Sequence, residues 1–345
     1  TVRDLAIAIR DGSDTDIVGL WSKKNGAVKA AELRPLIESL DELPFASASL
    51  FRFLDITRYS LDFTLHPYMN IMTSRGCPSK CIYCLWPQTL SRGKYRQRSL
   101  DNVFDEIDFV IAQKPAVKEL FFDDDTFTAD RKRVYEFCER YISKSYNIPF
   151  SVNSKANITD RSLLRLMKRA GLRCFVAGFE SGAQEILNAV RKGTRIEDMR
   201  EFAIACKDEG IQVHGDFVVG LPGETLQTIR ETVDFAKKLP LSTFQISIAH
   251  PLPGTSFYSW LDSNGYLTTR DFADWIDVDG MQRCVIDYPE LSSAEIEKAV
   301  YRAIKEYYLS FDFMKNAIGQ IIRNPNEFRR YAKGGLRLLR FLINK

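Results

Sequence analysis

Three cysteines stand within eight residues: Cys77, Cys81 and Cys84 in the stretch CPSKCIYC. Closely spaced thiols are metal-ligand chemistry, because the deprotonated sulfur is the ligating form. A buried helix stripe could give the same i, i+4, i+7 spacing, since free cysteine is among the most buried residue types. Pro78 directly after Cys77, and the SRG that leads in, mark a loop instead. A closed zinc site wants four ligands, usually as two pairs. The remaining cysteines, Cys138, Cys174, Cys206 and Cys284, are scattered singly, and His66 is the one histidine near the triplet. Three thiolates can hold three irons of a four-iron cluster and leave the fourth iron open to a small molecule.

Such a loop needs rigid elements on either side. YMNIMTS (68–74) has the pattern of a buried strand leading into it. Helices are expected over 99–113, with Ser99 as cap, and over 131–144, 159–171, 183–190, 196–210 and 224–239. Thr159 is expected to open the third of these, and Gly171 to close it. Short apolar strands are expected over 117–124, 149–154, 172–179, 211–220 and 241–250. Strands alternating with amphipathic helices predict an α/β fold, a parallel sheet with helices outside. The order over 68–250 suits a partial (β/α)6 barrel, in which chemistry gathers at the C-terminal ends of the strands.

The flanks are less regular. Residues 1–65 hold two short helix or strand pieces and the loop LDELPFASASL. After residue 254 the chain turns aromatic and irregular, then helical from Ser292, where Ser292 and Glu295 have capping-box spacing. The aromatics Tyr258, Trp260, Trp275 and Tyr288 fill the core of this extension or line a pocket. The closing RRYAKGGLRLLRFLINK is basic and amphipathic: a solvated helix face, or a peripheral contact with an acidic or membrane surface.

Composition bounds these readings. Of 345 residues 45% are hydrophobic and 27% charged, the balance of a soluble globular protein. A net charge of +3 is small for this size and gives no signature of nucleic acid, so none is expected as a partner. No apolar run reaches membrane-spanning length, and TVRDLAIAIRDGSD lacks a signal-peptide pattern. Seven cysteines in a chain this long argue against a secreted disulfide framework, so a cytoplasmic location is expected. The chain opens on Thr1 within a helical pattern, and is expected to begin partway through a longer protein.

With the triplet after the first strand of a partial barrel, residues from about Tyr68 to Tyr258 resemble the radical S-adenosylmethionine (SAM) superfamily. That resemblance implies a 4Fe–4S cluster on Cys77, Cys81 and Cys84, with SAM chelated to the open iron. It implies reductive cleavage of SAM to a 5′-deoxyadenosyl radical that abstracts hydrogen from an organic substrate, the cofactors supplying the difficult chemistry. Tyr83 would then sit by the adenine. The run FFDDDTFT falls where the family recognises the SAM ammonium, through Asp124 and Asp125 or Asp123. Asn153 and Ser154 could bond SAM, and Glu180 in GFES resembles the ribose-contacting acid. Gly220, in GDFVVGLPGET, lies where backbone passes close to adenine. Against this stands the plain alternative that DDD caps the next helix near Asp130, and the wider one of a non-catalytic metal-binding protein.

HGDFVVGLPGET and ISIAHPLPGTSFY further resemble the cobalamin-binding branch, in which a cobalamin domain precedes the barrel. No D-x-H-x-x-G surrounds His66, His214 or His250, so cobalamin is expected to belong to the full-length protein, outside this chain. The expected division is a connector over 1–65, the core barrel over 66–258 and a mostly helical extension over 259–345. CLWPQ with the basic stretch after it resembles radical SAM proteins of hopanoid side-chain biosynthesis, which implies a lipid-like or small-molecule substrate. A cobalamin-dependent methyltransferase of the same branch is the alternative. Arg92, Lys94, Arg96 and Arg98 could meet an acidic reducing partner such as flavodoxin or ferredoxin, or form a solvated loop.

Overall fold

The computed structural model describes residues 1–13, 16–114, 116–278, 282–323 and 327–343. Packing divides the chain into two units, Thr1–Leu40 and Asp41–Lys345. The smaller unit holds α1 (Val2–Asp11) and an antiparallel hairpin of β1 (Trp21–Lys24) and β2 (Ala27–Ala30). Asn25 and Gly26 turn the hairpin with φ of 53° and 82°, the left-handed pair that a two-residue turn demands.

The larger unit begins with α2 (Ala46–Phe53), β3 (Tyr68–Ile71), β4 (Ser74–Arg75), β5 (Arg96–Gln97) and α3 (Leu100–Gln113). It continues through β6 (Glu119–Phe122), α4 (Arg131–Lys144), β7 (Phe150–Lys155), α5 (Arg161–Ala170) and β8 (Leu172–Glu180). Next come α6 (Gln184–Ala189), α7 (Ile196–Asp208), β9 (Gln212–Val219), α8 (Leu226–Lys238) and β10 (Thr243–Ile248). Four helices close the chain: α9 (Ser256–Asn264), α10 (Ser293–Tyr308), α11 (Phe311–Arg323) and α12 (Phe328–Ile343).

Six strands form one parallel sheet in chain order, β3, β6, β7, β8, β9 and β10. This is the partial (β/α)6 barrel that the alternation predicts. Along β3 the side chains alternate: Met69 and Ile71 are buried in the hydrophobic core, while Tyr68 and Asn70 are half-buried on the other face. Phe104, Phe122, Phe137 and Phe150 lock α3, β6, α4 and β7 together with ring centroids 5.1–5.7 Å apart. Each such ring, fully buried, contributes roughly 2–3 kcal/mol.

Local signals explain most boundaries. Ser99 caps α3 by accepting from Asn102 N, and Ser292 with Glu295 forms the expected capping box on α10. Asp160, not Thr159, caps α5, because its carboxylate reaches the N–H groups of both Ser162 and Leu163. Two stretches expected as loop are helices. ASASLF lies in α2, whose Ser47 Oγ donates to the buried Glu106 at 2.7 Å, so residues 41–65 go with the large unit. TSFYSWLDSN is α9, opened by Thr255 and closed by Gly265 at φ 71°; its aromatic content hid the helical spacing.

The N-terminal ends of the strands are plugged by charge. Arg173 of β8 pairs with Glu119 of β6 at 2.9 Å and with Glu327 at 3.5 Å, and bonds Gln212 of β9 at 2.8 Å. The opposite end, where β3 runs into the cysteine loop, is left for chemistry.

Candidate active site

The run after β6 holds the root of the cysteine loop residue by residue. Asp124, 1% exposed, accepts four hydrogen bonds: from Thr73 N (2.5 Å), Thr73 Oγ1 (2.6 Å), Ser74 N (3.1 Å) and Ser74 Oγ (2.9 Å). Asp125 Oδ2 accepts from Gly76 N at 2.7 Å, and Thr126 Oγ1 lies 3.2 Å from Cys77 Sγ. Gly76 has φ 95°, and a Cβ there would lie 2.1 Å from the Lys94 carbonyl oxygen, so only glycine fits. Farther along, Ile82 N donates to Val190 O at 3.1 Å, tying the loop to the end of α6.

These bonds redistribute the expected roles. Asp124 is committed on both oxygens to the loop, whereas Asp123 and Asp125 are half-buried. The capping alternative for DDD does not hold: α4 is capped by Asp130, which accepts from Arg133 N. Asp123 bridges Asn70 at 3.3 Å and Asn153 at 2.9 Å, a polar row across β3, β6 and β7. Asn153 also donates to Asp124 O at 3.1 Å, and Ser154 Oγ sits 2.6 Å from Thr128 Oγ1.

Glu180 ends β8 where the register against β9 shifts, with φ 66°. A break in register of this kind re-aims a side chain beside a site. Here Glu180 meets Lys192 Nζ at 2.5 Å in a buried ion pair. Burial alone would push the Lys192 ammonium down, but the charges of Glu180 and Cys81 together hold it above its ordinary value. Cys81 is raised by burial and drawn back by Lys192 and Lys155. Cys84 is pushed up to about 12 by burial, with smaller contributions from the Cys81 and Cys77 charges. The charge of Cys81 and that of the two lysines therefore act on one another directly. Tyr83, also packed against the core, is held well above the usual phenol range by burial and by Glu180.

Gly220, at φ 87°, uses its backbone within the protein: its N–H donates to Glu224 Oε2 and its carbonyl accepts from Tyr288 OH at 2.9 Å. Burial pushes the Glu224 carboxyl up to about 8. A cavity of about 370 Å³ opens beside the loop, lined by Pro78, Lys80, Thr128, Lys155, Arg191 and Lys192 among others, with four cations and no acid in its wall. Among the described residues no three His, Cys, Asp or Glu side chains converge closely enough to hold a single metal ion.

The structure also sorts the remaining expectations. Arg98 turns inward, bonding Met72 O at 2.8 Å and Glu106 at 2.5 Å, while Arg92 and Lys94 stay exposed. Trp275 is buried and belongs to the core of the extension, whereas Trp260, Tyr266 and Tyr288 pack on one another at 5.4–6.1 Å with the two tyrosines half-buried and Trp260 exposed. Sequence reasoning missed Thr73, Ser74, Gly76, Thr126, Lys155 and Lys192. The RKGT that trails GFES carries Lys192, but nothing local says that its ammonium returns to Glu180.

Residues 71–236 match the model of the radical SAM superfamily. An uncharacterised methyltransferase of Pyrococcus horikoshii is 31% identical over 311 residues, covering 90% of this chain and 65% of that protein. The anaerobic magnesium-protoporphyrin IX monomethyl ester cyclase of Rubrivivax gelatinosus is 30% identical, over 63% of this chain and 38% of its own. The chain thus spans from about a third to two thirds of these relatives. The fold is shared with the radical SAM methyltransferase TsrM of Kitasatospora setae, solved with cobalamin and a 4Fe–4S cluster. There the TM-score is 0.61 at 22% identity, covering 86% of this chain and 58% of the other. A core of this family implies a 4Fe–4S cluster and SAM.

Proposed function

We propose, proceeding from the membership of residues 71–236 in the radical SAM superfamily, that this chain is the core of a cobalamin-dependent methyltransferase. The observation that carries the reading is the thiol triplet set beside a cavity walled by cations. The donor set fits the group: three free thiols in one loop, two lysines lowering the cost of ionising Cys81, and no fourth cysteine in that loop. Bound together, the cluster and SAM supply reductive cleavage of a carbon–sulfur bond, and a cobalamin supplies methyl transfer.

The chain's own residues bind and orient. Lys155, Arg191 and Lys192 offer charge to the carboxylate of SAM. The half-buried Asp123 and Asp125 offer acceptors to its ammonium, with Asn153 holding Asp123 in place. Ser154 and Glu180 are assigned to the ribose, and Tyr83 and Gly220 to the adenine side. Arg92 and Lys94, exposed beside the loop, suit an acidic electron donor such as flavodoxin or ferredoxin. Methyl transfer is preferred to hopanoid remodelling because the 31% identical relative bears a methyltransferase name, whereas hopanoid chemistry rests on CLWPQ alone.

Anaerobic reconstitution tests this. Wild-type protein should bind iron and sulfide at about four each. When reduced, it should form 5′-deoxyadenosine from SAM, and S-adenosylhomocysteine once cobalamin is supplied. Cys81→Ala should lose the cluster and at least 100-fold of the cleavage rate. Equal cleavage by a cluster-free variant, or stable stoichiometric zinc in place of iron, would overturn the assignment. Deoxyadenosine without S-adenosylhomocysteine, in protein shown to have bound cobalamin, would retire methyl transfer alone.

A further inference from the structure

The stretch LWPQ after Cys84 forms a single π-type turn, Trp86–Leu90, whose Gln88 reaches back into the cysteine loop. The Gln88 amide nitrogen donates toward three carbonyls: Cys81 O at 3.1 Å, Ile82 O at 2.8 Å and Cys84 O at 2.9 Å. Its amide oxygen accepts from Ser256 N at 2.7 Å and Ser256 Oγ at 2.8 Å, 168 positions along the chain. Ser256 is the first residue of α9. Two more contacts close the same seam. Phe257 N donates to Ile82 O at 3.0 Å, and Gly254 leaves room where a Cβ would lie 2.8 Å from Thr89 Cγ2.

We propose that Gln88 is a positioning residue that latches the cluster loop to the N-terminus of α9 and thereby sets the three thiols as a unit. This rests on reading Cys77, Cys81 and Cys84 as cluster ligands. A short irregular loop leaves its carbonyls without a ladder, and buried carbonyls need partners. Glutamine is the side chain that meets this: two donors face the carbonyls and one acceptor faces a helix N-terminus. A glutamate would set oxygen against three carbonyls, and an alanine would strip the Cys84 carbonyl and both Ser256 donors of this partner, leaving Cys81 O and Ile82 O to Cys84 N and Phe257 N. The latch also bridges the sheet's open edge. The loop follows β3 and α9 follows β10, the two outer strands, which pair with β6 and β9 and not with each other.

The test uses reconstituted full chain and three variants: Gln88→Ala, Gln88→Glu and Ser256→Pro. Proline suits the first helical position, and Thr255 before it already has φ −92° and ψ 151°, so α9 should persist while both donors to Gln88 are lost. Two readouts follow the cluster itself: the rate at which a ferrous chelator strips iron, and the low-temperature EPR spectrum of the reduced cluster. Ser256→Pro should release iron roughly tenfold faster than wild type, as expected for two hydrogen bonds lost, and Gln88→Ala and Gln88→Glu at least as fast, each with a broadened spectrum. Because the Ser256 contacts act only through Gln88, Gln88→Ala with Ser256→Pro should be no faster than Gln88→Ala alone. Unchanged iron release and spectrum in all variants, or effects of the two sites that multiply, would overturn the latch. A lower Tm with wild-type iron release would do the same, marking Gln88 as fold support only. Wild-type protein that takes up no iron would instead bring down the cluster reading and the latch with it.

Discussion

Asp124 is a site residue by position and a structural one by chemistry. Its four donors come from Thr73 and Ser74, so its charge fixes where the cysteine loop departs. Asp124→Ala leaves those donors buried and unpaired, and should cost about 3 kcal/mol in urea unfolding. Glu224 gives a pH signature. Its folded pKa of about 8 lies above the ordinary 4.5, so the folded state holds this proton more tightly. The stability it contributes is fully present below pH 4.5 and is lost as pH rises through 8. Glu224→Gln has no proton to lose. Its unfolding midpoint should fall less between pH 5 and pH 9 than that of wild type, and equal slopes would contradict the assignment.

At the scale of elements, two distortions of regular structure aim the site. The register shift at the end of β8, with Glu180 at φ 66°, turns Glu180 to meet Lys192, a pair whose separation would be expensive. Lys192→Met should destabilise by about 3–5 kcal/mol, measured on the apoprotein, because Glu180 would remain buried and uncompensated. The turn at Gly76 is the other. With φ 95° and the Lys94 carbonyl against it, Gly76→Ala must shift the loop, and should abolish cluster uptake while the far-UV spectrum stays that of a folded barrel. Cluster uptake at the wild-type level would show that the loop tolerates another path. Both distortions were illegible in sequence: GFES reads as a plain strand end, and SRGC as a generic turn.

For the whole molecule, the sheet separates stability from chemistry along its strands. One end carries the buried cluster of Arg173, Glu119 and Glu327; the other carries thiols, half-buried carboxylates and cations. Arg173→Met should lower stability by about 3–5 kcal/mol, through Glu119 left buried without its cation while Glu327 keeps Arg330, and cluster uptake by the folded fraction should be unchanged. At the C-terminus α12 folds back on the chain: Arg337 pairs with Asp62 and Lys333 bonds Ser60 at 3.3 Å. Part of the tail's basic charge is therefore answered internally, and Asn344 and Lys345 lie outside the described residues. No helix among the described residues is long and apolar enough to cross a membrane.

Periodicity and the cysteine spacing, both local, were enough to give the alternating strands and helices, the parallel order and the three thiols. Caps at Ser99 and Ser292 were legible for the same reason: a cap is a relation between residues three apart. The partners of the loop were not, because they come from strands far apart in the chain. Asp124 lies about 50 positions from Ser74, and Ser256 lies 168 from Gln88. In sequence DDD could offer a carboxylate to a ligand or to a helix, and LWPQ could mark a substrate. Only the packed sheet, by bringing β6 under the loop and α9 across the open edge, decided that Asp124 and Gln88 hold the thiols in place.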